Sequence, residues 1–193
     1  MYNTLRVLYN PKQVFVILDN FYEEDLNTTS HLIAAVFGCL VGTYSIYAEF
    51  ENLQEIVNGW LLVIICGLGI IISSAFCLFI YNYLITYLLY WIGKLLGSNG
   101  LIADTRTAVV HSIIPLVLIF ILAFVLKQIP ESLIDTKTQY WVLRISIQLI
   151  WIWTMVILVV GLNKLNKYGI VKALINVLPL PFVGLIILLL RYF

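Results

Sequence analysis

Charge is the scarcest commodity in this 193-residue chain, with Lys, Arg, Asp and Glu together making up 11%. A soluble globular domain carries roughly a quarter, so a water-soluble body is excluded. The formal net charge is +1 and no basic residues cluster densely, which excludes nucleic acid as a partner and strong attraction to an anionic lipid surface. Cysteine is sparse too. Cys39, Cys66 and Cys77 are odd in number and lie inside apolar runs without metal-ligand spacing, so they are expected to be small buried hydrophobes, and neither metal nor cofactor is expected. The motifs H-E-x-x-H, G-x-S-x-G and the P-loop are missing, as are paired intramembrane carboxylates, so the expectation is that the protein is not an enzyme. The first residues lack an apolar core followed by a small-residue cleavage site, and residue 2 is Tyr rather than the Gly that myristoylation needs. No cleaved signal peptide or myristoyl anchor is expected.

What remains is apolar. Hydrophobic residues reach 62% and the mean hydropathy is +1.02, in unbroken runs of about 20, the length that crosses a bilayer core. The expected class is an all-α, polytopic membrane protein of a single membrane domain with five transmembrane helices. Residues 10–22 read as a short amphipathic helix lying at the headgroups, with Asn10 as cap, Pro11 at the first helical position, and Val14, Ile17, Leu18 and Phe21 as its apolar stripe. Glu23, Glu24 and Asp25 then form an exposed link, and Thr28, Thr29 or Ser30 caps the first span. The spans are placed at about 31–48, 60–80, 107–126, 141–162 and 171–190.

In the first span, Ala34, Gly38 and Gly42 recur every fourth residue, a small-residue row that lets helix backbones approach closely in lipid. It points to packing against another span of the same chain, with a homo-oligomer as the alternative. The second span continues through Tyr81, Tyr83, Tyr87, Tyr90 and Trp91 to Leu96. A helix over 60–96 would be roughly 55 Å long, too much for one crossing. Residues 81–96 are therefore read as an aromatic-rich extension bent along the membrane surface or covered by the N-terminal helix. Gly93 to Pro115 is a Gly-punctuated polar elbow, with Asp104 or Thr105 capping the third span. In the fifth, Pro179 and Pro181 break the helix.

Lys and Arg near span ends set the orientation. With the N-terminus inside, the inner side takes Arg6, Lys12, Lys94, Arg106, Lys164, Lys167 and Lys172, and the outer side Lys127, Lys137, Arg144 and Arg191. Seven against four places the N-terminus in the cytoplasm. Depth then gathers His31, Asn82, Asp104, Arg106, His111 and Asn176 at the inner ends. Arg106 paired with Asp104, His111 one turn deeper, and Asn82 or Asn176 opposite would make a polar or lipid-binding site. The plainer alternative has Asp104 as a cap, Arg106 on lipid phosphate and His111 bonded to a neighbouring helix. On the outer side, Arg144 and Gln148 are four apart and share a helix face.

Several stretches together resemble one family. N-P-K-Q-V-F-V-I-L, the long second span ending in L-L-Y-W-I-G-K-L-L-G, T-A-V-V-H-S-I-I-P-L at the third span and N-K-L-N-K-Y-G-I-V-K-A-L before the fifth are similar to the Yip-one family (Ypt-interacting proteins). That resemblance implies five spans and a cytosolic N-terminus; eukaryotic members lie in the endoplasmic reticulum or Golgi and are implicated in Rab binding. This chain lacks their long cytosolic region and a D-L-Y-G-P-like motif, which makes a Rab GTPase a doubtful partner and the bacterial cytoplasmic (inner) membrane the expected location. Two functional readings follow. One is a non-enzymatic organiser of membrane lipids or of membrane-protein partners; the other is a small channel or transporter using the inner polar site.

Overall fold

The computed structural model describes residues 4–57, 59–130 and 133–181, and these are helical almost throughout, with no strand among them. A 3-10 turn at Thr4–Leu8 leads into α1, Pro11–Leu18. Then come α2, Glu23–Ile56, and α3, Trp60–Phe79, which passes through a π-helical segment at Ile80–Ile85 into α4, Thr86–Leu95. The third span is α5, Ile102–Ser112, joined by a 3-10 turn at Ile114–Leu116 to α6, Val117–Gln128. α7, Thr136–Leu165, and α8, Ile170–Val177, complete the described chain. Four helical stretches are long and apolar enough to cross a bilayer, and the shorter Ile170–Pro181 helix begins a fifth. The remainder of the span expected to reach residue 190, with the basic and aromatic anchor after it, lies outside the described residues.

The end of the bundle expected to face inward and the opposite end are held by different contacts. At one end Asp19 pairs with Lys167 at 3.4 Å, Ser98 Oγ donates to the Asn166 carbonyl, and Asn166 and Thr105 share side-chain hydrogen bonds at 3.2–3.3 Å. This inner end thus ties together the start of the chain, the 97–101 turn and the 166–169 turn. Gly97, at φ +85, turns the chain out of α4, a conformation that costs a residue with a Cβ. At the opposite end Gln128 donates to the Tyr47 hydroxyl and Lys127 lies over the Tyr47 ring.

α2 packs most extensively on α3, through the small-residue row. A Cβ on Gly38 would stand 2.6 Å from Ser74 Cα, and one on Gly42 2.9 Å from Ile70 Cα, while Ala34 is fully buried. Cys77 is buried at this seam, but Cys39 is exposed on the bundle exterior, contrary to the expectation for all three cysteines.

The N-terminal segment departs most from expectation. α1 stops at Leu18 rather than 22, and α2 begins at Glu23, so the three acidic residues form its first turn. Negative charge there complements the helix dipole. The apolar face of α1 is packed into the bundle rather than left to lipid, while Lys12, Gln13 and Val16 stay exposed. Val7, Val14, Phe15 and Leu18 are fully buried, Phe21 is exposed, and α1 packs along α7. The reason is a notch: Phe15 fills the space left by the missing side chain of Gly161 and the small Ala108, both within 3 Å of where a Gly161 Cβ would sit. Further up, Trp153 Nε1 donates to the Leu8 carbonyl at 3.1 Å. Trp153 lies about 18 Å along α7 from Leu165 at 1.5 Å per residue, so the segment runs beside the C-terminal part of α7. It covers α7, not the 81–96 extension, whose buried face of Thr86, Leu89 and Gly93 packs instead on α5 and α8.

Candidate functional site

At the inner end α2, the π-helical segment and α5 converge on Arg106. It is only 8% exposed. Its Nε donates to the Asn82 carbonyl at 3.2 Å and its Nη1 to Asn27 Oδ1 at 2.5 Å, and the guanidinium lies 5.7 Å from the centre of the Tyr83 ring. The irregular backbone makes this possible. A π-helical turn disturbs the i→i−4 ladder, and two of its carbonyls find side-chain donors: Tyr81 accepts from Thr86 Oγ1 at 2.7 Å, and Asn82 accepts from Arg106.

Asp104 does not pair with Arg106, contrary to expectation. Residues two apart on a helix point about 200° from each other. Asp104 turns back to accept the Leu101 backbone N–H at 2.8 Å, so Leu101 is the capping position and Asp104 the third residue of the helix. Its carboxylate borders a separate cleft of about 220 Å³ shared with Asp19, Glu23 and Lys167. Among the described residues no carboxylate lies within ion-pairing distance of Arg106.

His31 is half-buried, its Nδ1 is 2.6 Å from the Asn27 carbonyl, and its ring meets the Tyr83 ring edge-on. It therefore joins the Arg106 group through shared neighbours. Asn82 lies in the same group and is fully buried, with neither side-chain polar atom hydrogen-bonded. His111 does not join it. The ring is fully buried one turn deeper, with Nδ1 2.8 Å from the Thr107 carbonyl and an edge contact to Phe15. Asn176 is placed elsewhere again, donating to the Tyr168 hydroxyl at 2.6 Å beside Gly93. The outer pair forms no enclosed site: Arg144 and Gln148 are exposed, and Arg144 lies against Tyr140 and Trp141. Pro179 and Pro181 lie in the last turn of the Ile170–Pro181 helix, where Leu178 keeps helical dihedrals and donates to the Leu174 carbonyl at 3.1 Å, so no sharp break occurs among the described residues. No group of three or more potential metal ligands occurs among the described residues.

Sequence reasoning missed Asn27 and Tyr83. Asn27 was within reach, since it stands one helical turn before His31 once α2 is started at Glu23. Tyr83 was seen only as one of a girdle of interfacial aromatics, because its position over Arg106 depends on the π-helical turn.

Two hollows flank this group. An open one of about 640 Å³ is lined by Glu23, Glu24, Asn27, Thr28 and His31. A second, of about 420 Å³, lies between the π-helical segment, α4, α5, α7 and Leu180, with a nearly wholly apolar lining that includes Tyr81, Leu84, Ser112, Trp151 and Thr154. Neither is lined by His111 or Arg106, which leaves the channel reading without a continuous polar path through them.

A family model described as the Yip1 domain matches residues 5–191. The match covers nearly the whole chain, which therefore belongs to that family and is a multi-pass membrane protein. No curated protein and no solved structure matches it.

Proposed function

We propose that this Yip1-domain protein is a non-enzymatic organiser of membrane lipid in a bacterial cytoplasmic membrane, holding a phospholipid headgroup at the inner ends of its helices. The observation that carries this reading is Arg106. A guanidinium this deeply buried, bonded only to neutral acceptors and an aromatic face, bears a desolvation cost of several kcal/mol that an anion offsets. Phosphate matches the guanidinium fork. The hollow beside Asn27 also presents Glu23 and Glu24, which favour an ammonium. Arg106 does not line that hollow itself but bonds Asn27, which does; together they suit a zwitterionic aminophospholipid, its phosphate drawn toward the Asn27–Arg106 pair and its amine toward the two carboxylates.

The test is native mass spectrometry of the detergent-purified protein titrated with phosphatidylethanolamine or phosphatidylglycerol. The wild type should retain phosphatidylethanolamine. Arg106→Gln should lose it by about tenfold or more, as expected for removal of hydrogen bonds to a charged group, at an unchanged oligomeric state. The double change Glu23→Gln, Glu24→Gln should shift preference toward phosphatidylglycerol. Equal lipid retention by wild type and Arg106→Gln would remove the basis of the proposal.

A further inference from the structure

Two side-chain nitrogens at the open hollow stand unused. Arginine only donates, so Asn27 must turn its Oδ1 to Arg106 Nη1, which leaves the Asn27 Nδ2 amide as a spare donor. His31 is constrained in the same way. Its Nδ1 lies 2.6 Å from the Asn27 backbone carbonyl and needs a proton to bond it, so in the neutral ring Nε2 carries only a lone pair. Neither Asn27 Nδ2 nor His31 Nε2 is hydrogen-bonded among the described residues, and neither is shut away from the surface as the side-chain atoms of Asn82 are. Both residues line the hollow of about 640 Å³.

The order of residues along α2 matches the order of groups in an aminophospholipid. Glu23 and Glu24 come first, with Asn27 and His31 about 6 and 12 Å along the axis from Glu23. Exposed apolar side chains follow: Leu32 and Val36 on α2, and Phe79 stacked on Tyr83. Amine, phosphate and acyl chains meet these in turn. The charged and titratable groups around the His31 ring are few. Glu23 and Glu24 share its hollow, Tyr83 of the π-helical segment meets it edge-on, and the Arg106 guanidinium of α5 lies 5.7 Å from the centre of that same Tyr83 ring. Asp104 borders the other cleft. Among the described residues no carboxylate is ion-paired with His31 or Arg106, so a protonated His31 adds a second uncompensated cation beside the first.

We infer that His31 is a proton-operated phosphate contact, a role that rests on the headgroup reading and adds its regulation. With Nε2 bare, its lone pair opposes a phosphate oxygen. Once Nε2 takes a proton from solvent it donates to that oxygen beside the Asn27 amide, and the phospholipid is held more tightly as the pH falls. Histidine gains its proton between about pH 8 and 5, whereas carboxylates titrate near 4 and the phosphodiester and amine of the lipid keep their charges throughout. The chain's other histidine, His111, is fully buried against Phe15 and does not line the hollow.

The test uses the full-length protein in detergent and a phosphatidylethanolamine carrying a fluorescent label on one acyl chain. Binding is read by anisotropy at pH 7.5 and 5.5, with the equally labelled diacylglycerol as a probe lacking the headgroup. The wild type should bind the phosphatidylethanolamine about tenfold more tightly at pH 5.5, as one added charge-assisted hydrogen bond allows. Its weaker hold on the diacylglycerol should not change. His31→Gln, whose amide donates at any pH, should lose the pH dependence. Calorimetry in buffers of different ionisation enthalpy gives a reading that needs no variant: binding at pH 6.5 should take up a fraction of a proton. Phosphatidylethanolamine bound no better than diacylglycerol at both pH values overturns the headgroup reading and the proton-operated contact together. Headgroup-specific binding that is equal at the two pH values, takes up no proton, or keeps its pH dependence in His31→Gln folded by its melting profile overturns the proton-operated contact alone.

Discussion

Replacing Gly38 by Ala tests whether the α2–α3 seam is held by close backbone approach. The added Cβ would stand 2.6 Å from Ser74 Cα, 2.8 Å from the Ser73 carbonyl oxygen and 2.9 Å from Cys77 Cβ. Carbon atoms prefer about 3.5–4.0 Å, and two of these three neighbours are backbone, which no rotamer change can move. The helices must therefore part by roughly an ångström, forfeiting dispersion contacts along the seam, and in lipid no hydrophobic effect compensates. Overpacking of this kind costs about 1–3 kcal/mol. At about 2–4 °C per kcal/mol for a chain of this size, the melting temperature in detergent should fall by roughly 2–12 °C. Gly67 provides the control, since its Cβ would meet nothing within 4 Å; Gly67→Ala should be neutral or slightly stabilising through helix propensity. Gly42→Ala, with contacts of 2.9–3.1 Å, should fall between them. Intrinsic fluorescence melts of the three variants read the order directly. A Gly38→Ala protein as stable as Gly67→Ala would refute the seam. So would one that changed only oligomeric state, which would assign the row to contacts between copies.

Two further perturbations address the ends of the bundle. Phe15→Ala should empty the notch between Gly161 and Ala108 and cost about 3–5 kcal/mol, with the N-terminal segment becoming the first site of limited proteolysis; a protease pattern like that of the wild type would contradict the buried placement of α1. Asp135 caps α7 by accepting the Thr138 N–H and hydroxyl, and those bonds hold its carboxyl below the ordinary carboxylate range. Because the folded value is the lower one, its stabilisation is complete above the unfolded value of about 4 and is lost as pH falls through the folded value. Asp135→Ala should therefore melt below the wild type at pH 7, and the gap should close on acidification below pH 4; a gap independent of pH would exclude the charged cap.

The spans were legible because crossing a bilayer imposes a length and an apolar composition that few other constraints produce. The Gly38–Gly42 row was legible for a similar reason, since a repeat of four on a helix makes one face. Failures came where tertiary partners decide. Phe15 is ordinary in composition, and only the missing side chain of Gly161, far along the chain, turns it into an anchor. Asp104 and Arg106 are close in sequence and were paired for that reason, yet helical geometry separates them. Asn27 enters the group because Glu23, Glu24 and Asp25 favour a helix N-terminus, so α2 begins before the apolar run does.

The π-helical segment was not legible at all, because nothing in I-Y-N-Y-L-I distinguishes one widened turn from a regular one. Yet it governs both parts of the inner half. In the widened turn Thr86 donates to the Tyr81 carbonyl five residues back, and the Asn82 carbonyl accepts from Arg106. The adjacent residues Tyr81 and Asn82 then point two ways, one toward the apolar cavity and the other into the Arg106 group. This one segment thus borders both the buried cation, through the Asn82 carbonyl, and the apolar cavity, through Ile80, Tyr81 and Leu84.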